Sequence, residues 1–231
     1  MMRCWCMAMV ISDKSVVVFD LDDTLYKEVD YLKSAFREIA QVLEKESGQP
    51  GLFERMMSLY RDDEEVFGTI IEEYQVEIKT KSDLIQMYRN HEPDIYLEDH
   101  IADKLKEIKR NGMTTGLITD GRSHTQRNKL KSLGLQNYFD EVLISEEFGS
   151  KKPDPGTFAY IQDKLEGEGY IYIGDNIQKD FIAPNNLGWD TVCLLEDGTN
   201  IHPQNSSVIN EEVQRPDVFI KDFSEIKIEQ K

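Results

Sequence analysis

Apolar residues in this chain follow two different periods, and the changes between them divide it. Ser15-Val16-Val17-Val18-Phe19-Asp20 is a β-branched run whose polar interruption comes only at its closing aspartate, the pattern of a strand buried on both faces of a parallel sheet. From about residue 28 the period becomes helical. Leu32, Ala35, Phe36, Ile39, Ala40 and Leu43 recur at the i, i+3, i+4, i+7 spacing of one face, and Gly48-Gln49-Pro50-Gly51 then supplies a C-cap and a break. The spacing predicts further helices over 52–60, 64–74 and 82–90, the last begun by Thr80 or Ser82 as N-cap.

Beyond residue 98 the two periods alternate. Ile101, Leu105 and Ile108 stripe a helix that Asn111-Gly112 closes, and a strand follows over 114–119. The unit repeats as helix 123–133, strand 141–144, helix 155–165, strand 170–173, helix 177–186 and strand 191–195. Such alternation predicts an α/β fold: a Rossmann-like, doubly wound parallel sheet covered by helices on both faces. The helical block interrupts it as an inserted α-helical domain. The expected organisation is an N-terminal extension over 1–14, a core from 15–26 and 98–231, and the inserted helices over 27–97. Residues 197–214 read as a polar loop, and 217–220 as a final edge strand.

Composition narrows the partners. The 231 residues carry 27 Lys plus Arg against 44 Asp plus Glu, a formal charge of −17. The resulting field repels polyanions, so no nucleic-acid polymer is expected as a partner. No apolar run approaches the roughly 20 residues of a membrane span, and a soluble, cytoplasmic protein without membrane contact is expected. Cys4, Cys6 and Cys193 have no metal-like spacing and suit a reducing compartment. The opening Met-Met-Arg-Cys-Trp-Cys stretch reads as a short extension rather than a signal peptide, with Met7 or Met9 as alternative starts.

In an open α/β sheet, ligands bind outside the carboxyl ends of the strands. The polar residues there are Asp20-Leu21-Asp22-Asp23 after the first strand, Thr119-Asp120-Gly121 after a second, and Gly174-Asp175-Asn176 with Asp180 after a third. Lys152 sits in a Lys-Lys-Pro-Asp-Pro loop before a helix. Carboxylates crowded at one rim with a single lysine call for a divalent cation. Oxygen ligands without a His or Cys cluster favour Mg2+.

Phe19-Asp20-Leu21-Asp22-Asp23-Thr24-Leu25, Leu117-Ile118-Thr119-Asp120-Gly121, Lys152-Pro153-Asp154-Pro155 and Gly174-Asp175-Asn176 with Asp180, in that order, resemble the four motifs of the haloacid dehalogenase-like (HAD) hydrolase superfamily. The helices over 27–97 resemble the type 1 cap of its phosphatases. The resemblance implies that Asp20 is a nucleophile forming an aspartyl-phosphate and that Asp22 serves as acid and then base. Residues two apart on an extended segment point to the same side, and the acid role asks for Asp22 to be protonated when substrate binds, through a pKa raised by the site's other anions. It further implies Mg2+ held by Asp20, the Asp22 backbone carbonyl, Asp175 and Asp180. Thr119, Asp120, Gly121 and Lys152 would bind the phosphoryl group. The implied activity is Mg2+-dependent hydrolysis of a small phosphorylated metabolite, since such a cap shuts over the cleft. Asp22 separates the chain from the dehalogenases, which lack an acid there because a halide leaves unprotonated. Phosphomutase-type transfer and non-catalytic binding of a phosphometabolite stay open, and neither the ester nor the oligomeric state is read from the sequence.

One departure stands out. Asp120 occupies a place where many relatives carry Asn, and its carboxylate is expected to point away, to pair with Arg122, or to meet a cationic part of the substrate. Arg122 and His124, and Tyr26, Glu28, Asp30 and Tyr31 at the entry to the helical block, are placed either at the cleft or on the surface. Asp62-Asp63-Glu64-Glu65 reads as a solvated helix start, and 198–202 as a surface loop in preference to one that closes over the site.

Overall fold

The structure, a computed structural model, describes residues 9–202, 204 and 211–229. Cys4, Cys6 and Met7 lie outside the described residues. In chain order the strands are β1 (Met9–Ile11), β2 (Ser15–Phe19), β3 (Thr114–Thr119), β4 (Glu141–Ile144), β5 (Gly169–Gly174), β6 (Asp190–Leu194), β7 (Val218–Ile220) and β8 (Ile226–Ile228). The helices are α1 (Glu28–Ser47), α2 (Leu52–Arg61), α3 (Val66–Glu73), α4 (Lys81–Asn90), α5 (Asp99–Arg110), α6 (Ser123–Ser132), α7 (Ser145–Phe148), α8 (Pro155–Lys164) and α9 (Ile182–Leu187).

Six strands form one parallel sheet in the order β4-β3-β2-β5-β6-β7. The alternation of strand side chains feeds two apolar layers. Val17 and Phe19 join Leu105, Ile108 and Leu130 on one face, while Val16 and Val18 join Phe158, Ile161 and Phe181 on the other. Chain order runs outwards from β2 in both directions, so the strand order reverses there and a crevice opens at the carboxyl ends of β2, β3 and β5.

Helices α1 to α4 enclose an apolar cluster of their own, with Phe36, Ile39, Leu43, Leu52, Met56, Ile70 and Leu84 buried. Gly48 ends α1 in the left-handed region at φ 70°, and its N–H donates to the Glu44 carbonyl. Helix α4 begins in a capping box: Thr80 Oγ1 accepts from Asp83 N, and Asp83 Oδ2 accepts from Thr80 N. Thr80→Ala is therefore expected to destabilise the protein by about 1 kcal/mol. Urea unfolding measures this, and an unchanged midpoint would discount the cap.

Three differences from the sequence pattern have local causes. Met9–Ile11, inside the segment expected as an extension, pairs in parallel with β8 and buries Ile11; three residues are too few to show a period. The helix expected over 177–186 is confined to Ile182–Leu187, because Asp180 turns its carboxylate back to accept from Asn176 N at 2.9 Å. The short helix α7 follows β4 without a spacer. Among the described residues, no helix is long and apolar enough to cross a membrane.

Candidate active site

Asp20 leaves the end of β2, its N–H donating to the Ile173 carbonyl of β5 at 2.9 Å. Asp175 follows β5, and the turn after it delivers Asp180. One carboxylate oxygen from each of the three lies within 4.8 Å of the others, and all three residues are buried. Lys152, itself buried, reaches Asp20 Oδ1 at 2.8 Å and Asp180 Oδ1 at 2.9 Å, and donates to the Tyr172 hydroxyl at 2.9 Å. Gly174 is required beside them, since a Cβ there would stand 2.6 Å from Asp180 Oδ2.

One lysine does not balance three buried carboxylates. Burial, reinforced by the charges of Asp180, Asp20 and Asp23, pushes Asp175 up to about 9. Burial also raises Asp20, to about 6; Lys152 opposes that rise and Asp180 adds to it. A divalent cation among these oxygens would offset the repulsion, and an all-oxygen, anionic donor set fits a hard cation.

Asp22 behaves differently. Tyr26 Oη donates to its Oδ1 at 2.5 Å, Lys129 Nζ sits 2.6 Å from the same oxygen, and Gln126 Nε2 donates to Oδ2 at 2.9 Å. Burial pushes the Asp22 carboxyl up, but the Lys129 ammonium and these three donors outweigh it and hold it below the usual carboxylate range. Without substrate, these contacts favour the carboxylate form of Asp22. Lys129 is 3% exposed, lies 3.5 Å from Glu28 Oε1 and sits 4.5 Å from the centre of the Tyr31 ring. Neither Gln126 nor Lys129 was singled out from the sequence. The available signal was their i, i+3 spacing on the same face as Leu130, polar residues within a buried stripe.

Thr119 is buried at the end of β3, and its Oγ1 accepts from Gln126 Nε2 at 2.5 Å. Asp120 finds a partner that the sequence reading did not consider. Its Oδ1 accepts from Lys152 N and its Oδ2 from Lys179 Nζ, both at 3.1 Å. Arg122 instead approaches Glu146, at 4.0 Å, and His124 contacts Asn128. Gly121 has φ 150°, its N–H donates to Ser145 Oγ at 2.9 Å, and a Cβ there would press on Gln126 at 3.0 Å.

A cavity of about 410 Å3 opens among Asp20, Asp22, Glu28, Asp120, Gly121 and Asp175. Lys151, Lys179 and His202 also face it. Thr119, Lys152 and Asp180 do not line it; they support the residues that do. At the entry to the helices, Tyr26 holds Asp22, Tyr31 donates to the Tyr88 carbonyl and Asp30 pairs with Lys33. Residues 62–65 are exposed, with Glu65 capping α3. The segment 198–202, expected as a surface loop, comes back onto the site: Asn200 donates to Asp175, and Ile201 N to Asp23 Oδ2 at 2.9 Å.

Sheet order, crevice and carboxylate cluster together describe a Rossmann-like α/β protein with an acidic site at the carboxyl ends of its central strands. Residues 17–194 match the family described as haloacid dehalogenase-like hydrolase, and the chain belongs to that family. The glyceraldehyde 3-phosphate phosphatase of Methanocaldococcus jannaschii is 32% identical over 195 residues, which cover 78% of this chain and 84% of that one. The pyrophosphatase PpaX of Bacillus pumilus is 25% identical over 222 residues, covering 92% and 94%. The HAD-hydrolase YfnB of Bacillus subtilis, solved bound to magnesium, shares the fold with a TM-score of 0.65 at 21% identity, over 91% of this chain and 96% of that one.

Proposed function

We propose that the protein is a Mg2+-dependent phosphatase that hydrolyses the phosphate ester of a small metabolite through an aspartyl-phosphate on Asp20. The observation that carries this reading is Asp20 itself, a buried carboxylate on the cavity wall, clustered with Asp175 and Asp180 and lining the cavity together with Asp22. The phosphatase names of relatives such as those of Methanocaldococcus jannaschii and Methanopyrus kandleri support it.

In this reading an Asp20 oxygen attacks phosphorus and the ester oxygen departs with a proton from Asp22. The Asp22 carboxylate then takes a proton from water, whose oxygen attacks the same phosphorus, releasing phosphate and restoring Asp20. Asp22 rests as an anion, ready for the second step. A phosphate anion arriving beside it raises its proton affinity, so that it takes up a proton from solvent or from the incoming phosphate monoanion before acting as the acid of the first. Lys152 orients Asp20 and offsets its charge, and the chain around Thr119 and Asp120 meets the phosphoryl oxygens, with Lys179 balancing the extra Asp120 carboxylate. Mg2+, held by Asp20, Asp175, Asp180 and the Asp22 backbone carbonyl, supplies positive charge that offsets repulsion between nucleophile and phosphate. The helices over 27–97 act as the cap, bringing Glu28 to the cavity wall and excluding bulk water. A cavity of about 410 Å3 suits a small phosphorylated metabolite rather than a folded polypeptide.

The test is phosphate release from a broad panel of phosphate esters. With Mg2+ the protein is expected to turn over at least one small-metabolite ester, and chelation with EDTA should lower the rate by about 100-fold or more until Mg2+ is restored. Silence across the whole panel with Mg2+ present overturns the proposal. Isomerised product without free phosphate would assign transfer in place of hydrolysis.

A further inference from the structure

The loop after β6 carries a side chain that none of the four motifs contains. Asn200 stands between two opposite charges: its Nδ2 donates to Asp175 Oδ2 at 3.0 Å, and its Oδ1 accepts from Lys27 Nζ at 3.0 Å. The amide orientation is unambiguous, because reversing it would turn the NH2 towards an ammonium and the carbonyl towards a carboxylate. Lys27 is held in turn by Asp197 at 3.2 Å. The loop is pinned on both sides of Asn200. Ile201 N donates to Asp23 Oδ2, the Ile201 side chain packs on the apolar cluster of α1 to α4, and Gln204 Nε2 donates to the Asp175 carbonyl at 2.8 Å.

We propose that Asn200 is a positioning residue for the cation site, fixing the Asp175 carboxylate while Lys27 fixes Asn200. This rests on reading Asp20, Asp175 and Asp180 as cation ligands. The choice of asparagine has a physical reason. With Lys152 already touching Asp20 and Asp180, a second lysine or an arginine on Asp175 would place a charge on the remaining carboxylate and compete with the cation, whereas an amide orients that carboxylate and leaves its charge available. Asn200 engages one carboxylate oxygen, so the other remains free for a cation. Lys27 adds positive charge one side chain further out, where it polarises the amide without occupying the site. Lys27 is also the N-cap residue of α1, so one chain of contacts joins the entry of the helical unit to Asp175.

Outer-shell partners of metal ligands are worth about 10- to 100-fold in affinity. Calorimetric titration of Mg2+ into the full chain is therefore expected to show Asn200→Ala binding at least about 10-fold more weakly than the unaltered protein. Asn200→Leu, close in size but without the amide, should lose as much. Lys27→Met should lose less, in the same direction. Thermal unfolding of the cation-free variants should match that of the parent, which separates positioning from a general loss of fold. Mg2+ affinity within twofold of the parent in Asn200→Ala, or normal affinity in Asn200→Leu alone, overturns the assignment of Asn200. Absence of Mg2+ binding by the unaltered chain would overturn it together with the phosphatase reading.

Discussion

Asp20→Asn is expected to lower phosphate release by about 1,000-fold or more while leaving the fold intact. The two side chains match in size, but an amide nitrogen or oxygen is a poor nucleophile towards phosphorus, so the proposed covalent step would lose its attacking group and only binding and charge stabilisation would remain. The fold should tolerate the change well. Asp20 is one of three crowded carboxylates, and the Lys152 ammonium keeps Asp180 as a partner at 2.9 Å. Phosphate release under saturating substrate and far-ultraviolet circular dichroism together make the measurement. A variant retaining activity within tenfold of the parent would remove Asp20 from the chemistry.

The second large effect is on stability. Lys152 is buried between Asp20 and Asp180, and Lys152→Met keeps the apolar stem while deleting the charge that both carboxylates face. Breaking a buried ion pair by removing one partner costs about 3–5 kcal/mol, because the remaining charge is left uncompensated in a medium that solvates it poorly. That loss is expected in urea unfolding with EDTA present. Added Mg2+ should recover part of it, since a cation that binds only the folded state stabilises by mass action. A loss below about 1 kcal/mol in EDTA would mean that the carboxylates do not depend on Lys152 for their burial.

How far these residues were legible depended on whether their surroundings are local. Thr114–Thr119 and Glu141–Ile144 appear as strands at the limits their apolar runs suggested, because burial on both faces imposes an unbroken pattern over a few consecutive residues. Helix α1 was equally legible, with its buried stripe and its left-handed Gly48. Three-residue strands such as β1 and β8 carry no period, and the turn before α9 depends on where the Asp180 carboxylate bends.

The same division runs through the site. The chain's own order placed Asp20, Asp22, Asp120, Asp175 and Asp180 at strand ends or just after them, since a strand's carboxyl end is a local property. The partner that each carboxylate meets was settled by distance in space. Asp22 is held by Lys129, 107 residues further on, Asp120 by Lys179, 59 residues further on, and Asp175 by Asn200, 25 residues further on. Arg122 lies two positions from Asp120 and was one of the partners open to it by sequence, yet the strand ends and turns around β3 and β5 bring Lys179 closer. Periodicity and strand-end position are written in neighbouring residues, so the sequence alone determined the sheet, its helices and the set of acidic candidates. Charge interactions weaken with separation in space, whatever the separation along the chain. Only the tertiary structure therefore decided which groups surround each carboxylate: Tyr26, Gln126 and Lys129 around Asp22, and Lys152 between Asp20 and Asp180.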